Sequence, residues 1–309
     1  MSSKIKYYVM IDVGGTSFKS AILSTEGKVL KNSFSVKEID EKSNFEEIIE
    51  NIIILIREKI ARIKEYGELE GIGFGFPGPF DYKKGISLMR HKYRGIYKIN
   101  LKKEIIHSLG LPQGFPLIFQ EDSTAFLKGE TWMGNATNFK RVIGITLGEG
   151  LGTAFMADGK IIKDSPIIPP NGELWCLPYN EGIIEDKISR RGIIQIYRKI
   201  SGDLKEIDVK DIDLRARSGN INAIQTFKEF GKNMGCLLKP YIKRFKGECM
   251  VIGGQIAKGY DLFAESLREE LIDIHTLKKI TQAKYIESSV FFGLLKCFLN
   301  QGILKNDKE

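Results

Sequence analysis

The sequence predicts an α/β fold of two similar lobes, on three observations. Short apolar runs of strand length alternate with longer runs of helical periodicity along nearly the whole chain. A strand–glycine turn–strand–turn–strand pattern at 7–30 returns at 143–162, and repetition at so long a separation implies two lobes built on one plan. A chain of 309 residues is long enough for two cores.

The first pattern, Tyr7–Leu30, opens with an apolar run closed by Asp12. A tight turn at Gly14-Gly15-Thr16 follows, then a strand over Phe18–Leu23, a polar turn and a third strand from Lys28. A carboxylate at the end of a buried strand, facing small residues, suits a metal–phosphate group. Glycines let backbone N–H groups approach phosphate oxygens, and the Thr16 hydroxyl adds a donor. In the second pattern, Ile143–Ile162, Gly148 corresponds to Gly14 and Gly159-Lys160 to Gly27-Lys28. Two such turns are suited to holding a triphosphate between them.

Between the two patterns, Ser43 and Glu46 form a capping box for a helix whose apolar stripe runs from Phe45 to Ile63 and stops at Gly67. A strand at Gly71–Phe76 breaks at Pro77-Gly78-Pro79, and 82–100 reads as a basic, aromatic loop in which His91, Lys92 and Tyr93 are solvated. A helix over Leu101–Leu109, a strand over Phe115–Phe119 and a helix over Ser123–Trp132 follow. After the second pattern come a proline-rich loop (Pro166–Pro178), a helix over Glu185–Ile200 interrupted near Gly192, and a helix over Ile221–Phe245. A buried strand at Glu248–Gly253 and a terminal helix at Ser289–Leu304 complete the chain before a charged tail. The lobes are expected at 1–118, joined by the returning helix 290–304, and at 119–289.

Forty-seven basic residues against 39 acidic leave a net charge of +8, but the charges are interspersed, so no nucleic-acid partner is expected. No apolar run approaches membrane-spanning length, and MSSKIKYY lacks a hydrophobic signal core, so no membrane partner is expected. The four cysteines have no paired spacing and the three histidines form no cluster. That pattern argues for reduced thiols in a cytoplasm.

Taken together, these motifs resemble the actin-like ATPase and sugar-kinase superfamily, and within it the ROK family of sugar kinases. EDSTAFLKGE (Glu121–Glu130) resembles the family's NDANAAALGE segment, GFGFPGP at Gly73–Pro79 its GxPGP turn, and Val251–Ile256 its adenosine motif. The resemblance implies two actin-like (ribonuclease H-like) lobes, each a mixed five-stranded sheet with helices, with ATP and sugar in the interlobe cleft. It implies ATP-dependent phosphorylation of a sugar hydroxyl, the 6-hydroxyl of a hexose first among them, with Asp122 as general base. The ATP-binding set would be Asp12, Gly14, Gly15, Thr16, Lys19, Gly150, Gly152, Thr153, Gly253 and Gly254, with Mg2+ at Asp12, directly or through water. Sugar contacts would come from Gly78, Glu121, Glu173 and Glu185, and the assembly implied is a homodimer.

Three departures stand out. Glu121 replaces the family's asparagine, and as a neighbouring carboxylate it is placed to raise the pKa of Asp122. Glu149 replaces a phosphate-binding threonine, where an anion repels phosphate unless it turns away or Mg2+ intervenes. Cys176 stands where the family has a histidine and the zinc knuckle is missing, so no zinc site is expected; Trp175, Leu177, Pro178 and Tyr179 would hold that loop by packing. The alternatives are an N-acyl hexosamine kinase of the same family and a catalytically weak, sugar-binding regulatory protein.

Overall fold

The computed structural model describes residues 4–90 and 92–306. His91 and the end of the charged tail at 307–309 lie outside the described residues. Two compact units are present, one of Met1–Gly129 with Val290–Glu309, the other of Glu130–Ser289.

The first unit contains β1 (Ile5–Val13), β2 (Ser17–Ser24), β3 (Ser35–Glu38), α1 (Phe45–Ile63), β4 (Gly67–Phe76), the short hairpin β5 (Phe80–Asp81) and β6 (Ile86–Ser87), α2 (Leu101–Leu109), β7 (Leu117–Glu121) and all but the last turn of α3 (Asp122–Trp132). The second contains β8 (Arg141–Leu147), β9 (Leu151–Ala157), β10 (Lys160–Ile162), the hairpin β11 (Pro178–Tyr179) and β12 (Gly182–Ile183), α4 (Arg190–Ser201), α5 (Val209–Arg217), α6 (Ile221–Phe245), β13 (Cys249–Gly253), α7 (Tyr260–Leu271) and β14 (Lys279–Gln282). The chain then returns to the first unit in α8 (Ser289–Asn306).

The two large sheets repeat one topology. Their orders are β3-β2-β1-β4-β7 and β10-β9-β8-β13-β14. In each, the first three strands form an antiparallel meander and the last two run parallel to its first strand. The repeat seen at 7–30 and 143–162 is therefore a repeat of whole five-stranded sheets, the actin-like plan.

Alternation on β4 explains how the first sheet is covered on both faces. Ile72, Phe74 and Phe76 are fully buried in one core with Ile48, Ile52 and Ile56 of α1. Each such side chain contributes about 1.5–3 kcal/mol through burial. Gly71, Gly73 and Gly75 share the opposite face and leave a groove for α8. A Cβ on Gly71 would stand 2.8 Å from the Phe298 ring, one on Gly73 3.3 Å from Leu294 Cβ, and one on Gly75 2.6 Å from Val290 Cγ1. Phe298 also meets Tyr8 with ring centroids 5.0 Å apart.

Several expectations need correction. The third strand of the first meander does not start at Lys28: only a Leu23–Val29 bridge forms there, Asn32 turns the chain at φ 57°, and β3 begins at Ser35. Asn44, not Ser43, caps α1, its Oδ1 accepting the Glu47 N–H at 2.9 Å. Gly67 opens β4 instead of ending α1, and α4 runs through Gly192 without a break. The division between units falls at Gly129/Glu130 and not at 118/119, because β7 pairs with β4 in the first sheet. Trp175 and Leu177 pack against the second core, but Pro178 and Tyr179 are exposed.

Candidate active site

In the first unit β1, β4 and β7 run parallel and end at one sheet edge, the edge at which open α/β sheets bind ligands. Asp12 of β1 lies in register with Gly75 of β4, and Gly75 with Gln120 of β7, two residues before Asp122. Two strand spacings separate the outer backbones, about 10 Å. The bare Gly75 keeps space beside Asp12: a Cβ there would come within 3.6 Å of its Oδ1. Mg2+ is commonly held by one or two carboxylates with phosphate oxygens and water, and the Asp12 carboxylate is a donor of that kind.

The turn after Asp12 is closed by the Gly14 N–H donating to Ser17 O at 2.9 Å. Gly14 and Gly15 are half-buried, Thr16 is exposed, and Lys19 is the cross-strand partner of Asp12. Tyr93, expected in a solvated loop, is fully buried beside Phe18 and Phe76, and its hydroxyl donates to the Gly14 carbonyl. Burial, with the charges of Glu41 and Asp12, holds its pKa above the usual phenol value, so it stays a donor. Nothing in the polar surroundings of Tyr93 in sequence signals this role. Tyr93→Phe removes one hydrogen bond to a backbone carbonyl, so we expect a loss of about 1 kcal/mol of stability, checked by urea denaturation. Gly78, past the end of β4, is half-buried, and the nearby Tyr82 hydroxyl donates to Phe76 O at 3.1 Å.

Asp122 follows β7 directly and begins α3, so strand and helix both fix its direction. Its Oδ1 accepts the Ser123 N–H at 2.7 Å. The carboxyl is pushed up to about 6, chiefly by burial and then by the charge of Glu121; the Ser123 N–H and Lys92 oppose the rise. The effect anticipated from Glu121 is therefore present, with desolvation the larger cause. Glu121 is buried and its Oε2 accepts the Thr124 hydroxyl at 2.6 Å.

The second unit holds the other glycine turn, where the Gly148 N–H donates to Gly150 O at 3.1 Å. Glu149 is turned outward, its Oε1 3.4 Å from Arg190 Nε. Glu185 sits against this turn, its Oε2 accepting the Leu151 N–H at 2.9 Å. Thr153, read as a phosphate donor, has a buried hydroxyl that donates to Gly172 O at 2.6 Å and accepts the Leu174 N–H at 3.1 Å. Its hydroxyl thus fixes the 172–174 segment, which carries the half-buried Glu173. Gly152 pairs with Thr146 in the sheet. Gly253 ends β13, and Gly254 stands at φ +83°, where a Cβ would run into the Leu147 carbonyl. The close approach that Gly254 permits is one of backbone on backbone, beside the turn.

Cys176 is exposed as a residue, but partial burial of its thiol, with the charges of Glu173 and Glu185, raises the thiol pKa. Among the described residues no three or more His, Cys, Asp or Glu form a metal-holding group, and no helix is long and apolar enough to cross a membrane.

A family model described as the ROK family matches residues 8–290. Glucokinase of Thermotoga maritima is 24% identical over 284 residues, covering 85% of this chain and 86% of that protein. N-acetyl-D-glucosamine kinase of Haemophilus influenzae is 22% identical over 318 residues, covering 95% and 100%. Among solved structures, a ROK family glucokinase from Streptomyces griseus in complex with glucose and AMPPNP aligns with a TM-score of 0.74 at 21% identity, covering 94% of this chain and 98% of that one.

Proposed function

This chain belongs to the ROK family, and from that premise we propose that it is an ATP-dependent kinase that phosphorylates a sugar hydroxyl, the 6-hydroxyl of a hexose in the first instance. The observation that carries the reading is the edge of the first sheet, where Asp12, Gly78 and Asp122 lie at or just past the ends of three adjacent parallel strands. The names of the relatives support it: glucokinase and N-acetyl-D-glucosamine kinase for two proteins, glucose with AMPPNP for a third.

In this reading Asp122 takes the proton of the attacking hydroxyl. A base with a pKa of about 6 is ionised at neutral pH yet more basic than an ordinary carboxylate. The hydroxyl oxygen forms a bond to the γ-phosphorus of ATP while the bond to the β-phosphate oxygen breaks, and ADP leaves. Asp12 would hold Mg2+, which supplies charge neutralisation on the phosphates when bound. The Gly14-Gly15-Thr16 turn, with Lys19 beside it, offers donors to phosphate, and Tyr93 fixes the turn from behind. Gly150, Gly152, Gly253 and Gly254 form the nucleotide surface of the second unit, with Thr153 in a positioning role.

Gly78, Glu121, Glu173 and Glu185 are the sugar-binding candidates. Glu185 also binds the backbone of the second turn through Oε2 and faces Arg191 through Oε1, so only its remaining acceptor capacity serves a sugar. An N-acyl hexosamine is the second substrate class, favoured by the name of the Haemophilus influenzae relative. A cytoplasmic, zinc-free homodimer remains part of the proposal.

The test is ADP release with Mg-ATP across hexoses and N-acetylhexosamines. Turnover on one class identifies the acceptor. Sugar binding without turnover on any acceptor refutes the kinase reading in favour of a sugar-binding regulatory protein.

A further inference from the structure

Arg190 sits where the second glycine turn has acquired an acidic residue. We infer that Arg190 is the counter-charge that lets this turn receive nucleotide phosphates despite Glu149; the inference rests on the kinase reading above.

Arg190 grips the turn twice. Its backbone N–H donates to the Gly148 carbonyl at 3.0 Å, and its Nε stands 3.4 Å from Glu149 Oε1. The same Nε donates to Asp208 Oδ1 at 2.8 Å, and Asp208 also accepts the Val209 N–H at 2.6 Å as the cap of α5. Arg190 is the first residue of α4, whose N-cap Ser189 is buried and makes no side-chain cap bond. The positive end of α4 therefore adds to the same field.

Charge at the turn is unfavourable without Arg190. Glu149 lies in it and Glu185 bonds to its backbone, Asp208 shares Arg190 with Glu149, and Arg191 pairs with Glu185 and Asp186 at 3.6 and 3.1 Å. Removing Arg190 takes away the guanidinium that faces Glu149, next to the place where phosphates arrive. The side chains of Arg190 and Glu149 are 39% and 51% exposed, and ion pairs so exposed contribute little to stability. The pair acts on an approaching anion through its field. A threonine at the turn needs no such partner; a glutamate does.

The experiment compares ATP and adenosine binding by calorimetry, in the presence of Mg2+. Arg190→Ala is expected to weaken ATP about tenfold while moving adenosine less than about twofold, because the effect acts on phosphate charge. Glu149→Thr should tighten ATP about threefold, and Glu149→Thr with Arg190→Ala should return to within about threefold of the unaltered chain. Arg190→Lys, which keeps the charge, should retain ATP affinity to within about threefold. Equal weakening of ATP and adenosine, or a double variant as weak as Arg190→Ala, overturns the inference and leaves the kinase reading standing. Failure of the unaltered chain to bind ATP at all overturns both.

Discussion

Asp122→Asn is expected to lower kcat about 10^3-fold and, at the same time, to make the protein more stable at neutral pH. The first effect is the loss of a positioned general base, within the range such groups supply. The second follows from its raised pKa. An ordinary aspartate titrates at 3.8 and this one at about 6. Below 3.8 the folded and unfolded chains both carry the proton and Asp122 has no effect on stability. Between 3.8 and about 6 the unfolded chain loses its proton first, so stability falls as pH rises; above about 6 the deficit is constant. A shift of that size corresponds to at most about 3 kcal/mol, and to about 1–2 kcal/mol once the partial exposure of Asp122 is counted.

Asparagine cannot ionise, so it removes the deficit. Urea denaturation at pH 5 and pH 7.5 checks this: the gain should be larger at pH 7.5. In the active enzyme kcat/KM should fall about tenfold per pH unit below pH 6 and be level above it, and the residual activity of Asp122→Asn should lack that limb. A variant with unchanged turnover, or a profile with no break near 6, assigns proton removal to another group.

Much of this site was legible because its signals are local. Asp12-Val13-Gly14-Gly15-Thr16 and Glu121-Asp122 are contiguous, and each lies at the end of a strand that hydrophobic patterning alone marks out. The repeat was legible for the same reason, and the structure extends it from two meanders to two whole sheets. What escaped is what depends on distant residues. Tyr93 reads as part of a solvated loop, yet the aromatic side chains of Phe18 and Phe76 take it into the core. Arg190 looks like one of many surface cations until α4 brings it to Glu149. Thr153 looks like a phosphate donor in a glycine-rich run, but its hydroxyl is already bonded to Gly172 and Leu174. The helices α5 and α7 were not foreseen, since polar residues interrupt their short apolar stripes. Glycine was misjudged more than once: Gly73 and Gly75 read as part of a turn motif, whereas they are the bare face on which α8 rests.

The tightest of these glycine contacts gives the second large effect. Gly293 lies in the buried part of α8, and a Cβ there would collide with the Ala125 carbonyl of α3. At an open helical position, Gly→Ala gains about 1 kcal/mol from propensity. Here the obstacle is backbone, which no rotamer change can move, so α8 must shift away from α3. Overpacking of this kind costs about 1–3 kcal/mol and occasionally more, which outweighs the propensity gain. We expect Gly293→Ala to be less stable by about 2 kcal/mol and Gly293→Val by about 3 kcal/mol or more, measured by urea denaturation. Activity should fall too, because Ala125 is one turn along the helix that Asp122 begins. Gly75→Ala provides the contrast. Its obstacle is Val290 Cγ1, a side-chain atom, so Val290→Ala should restore Gly75→Ala, whereas Ala125→Gly should leave Gly293→Ala as unstable as before. Equal or greater stability in Gly293→Ala would mean that α8 yields at little cost, and that α3 owes its placement to the sheet alone.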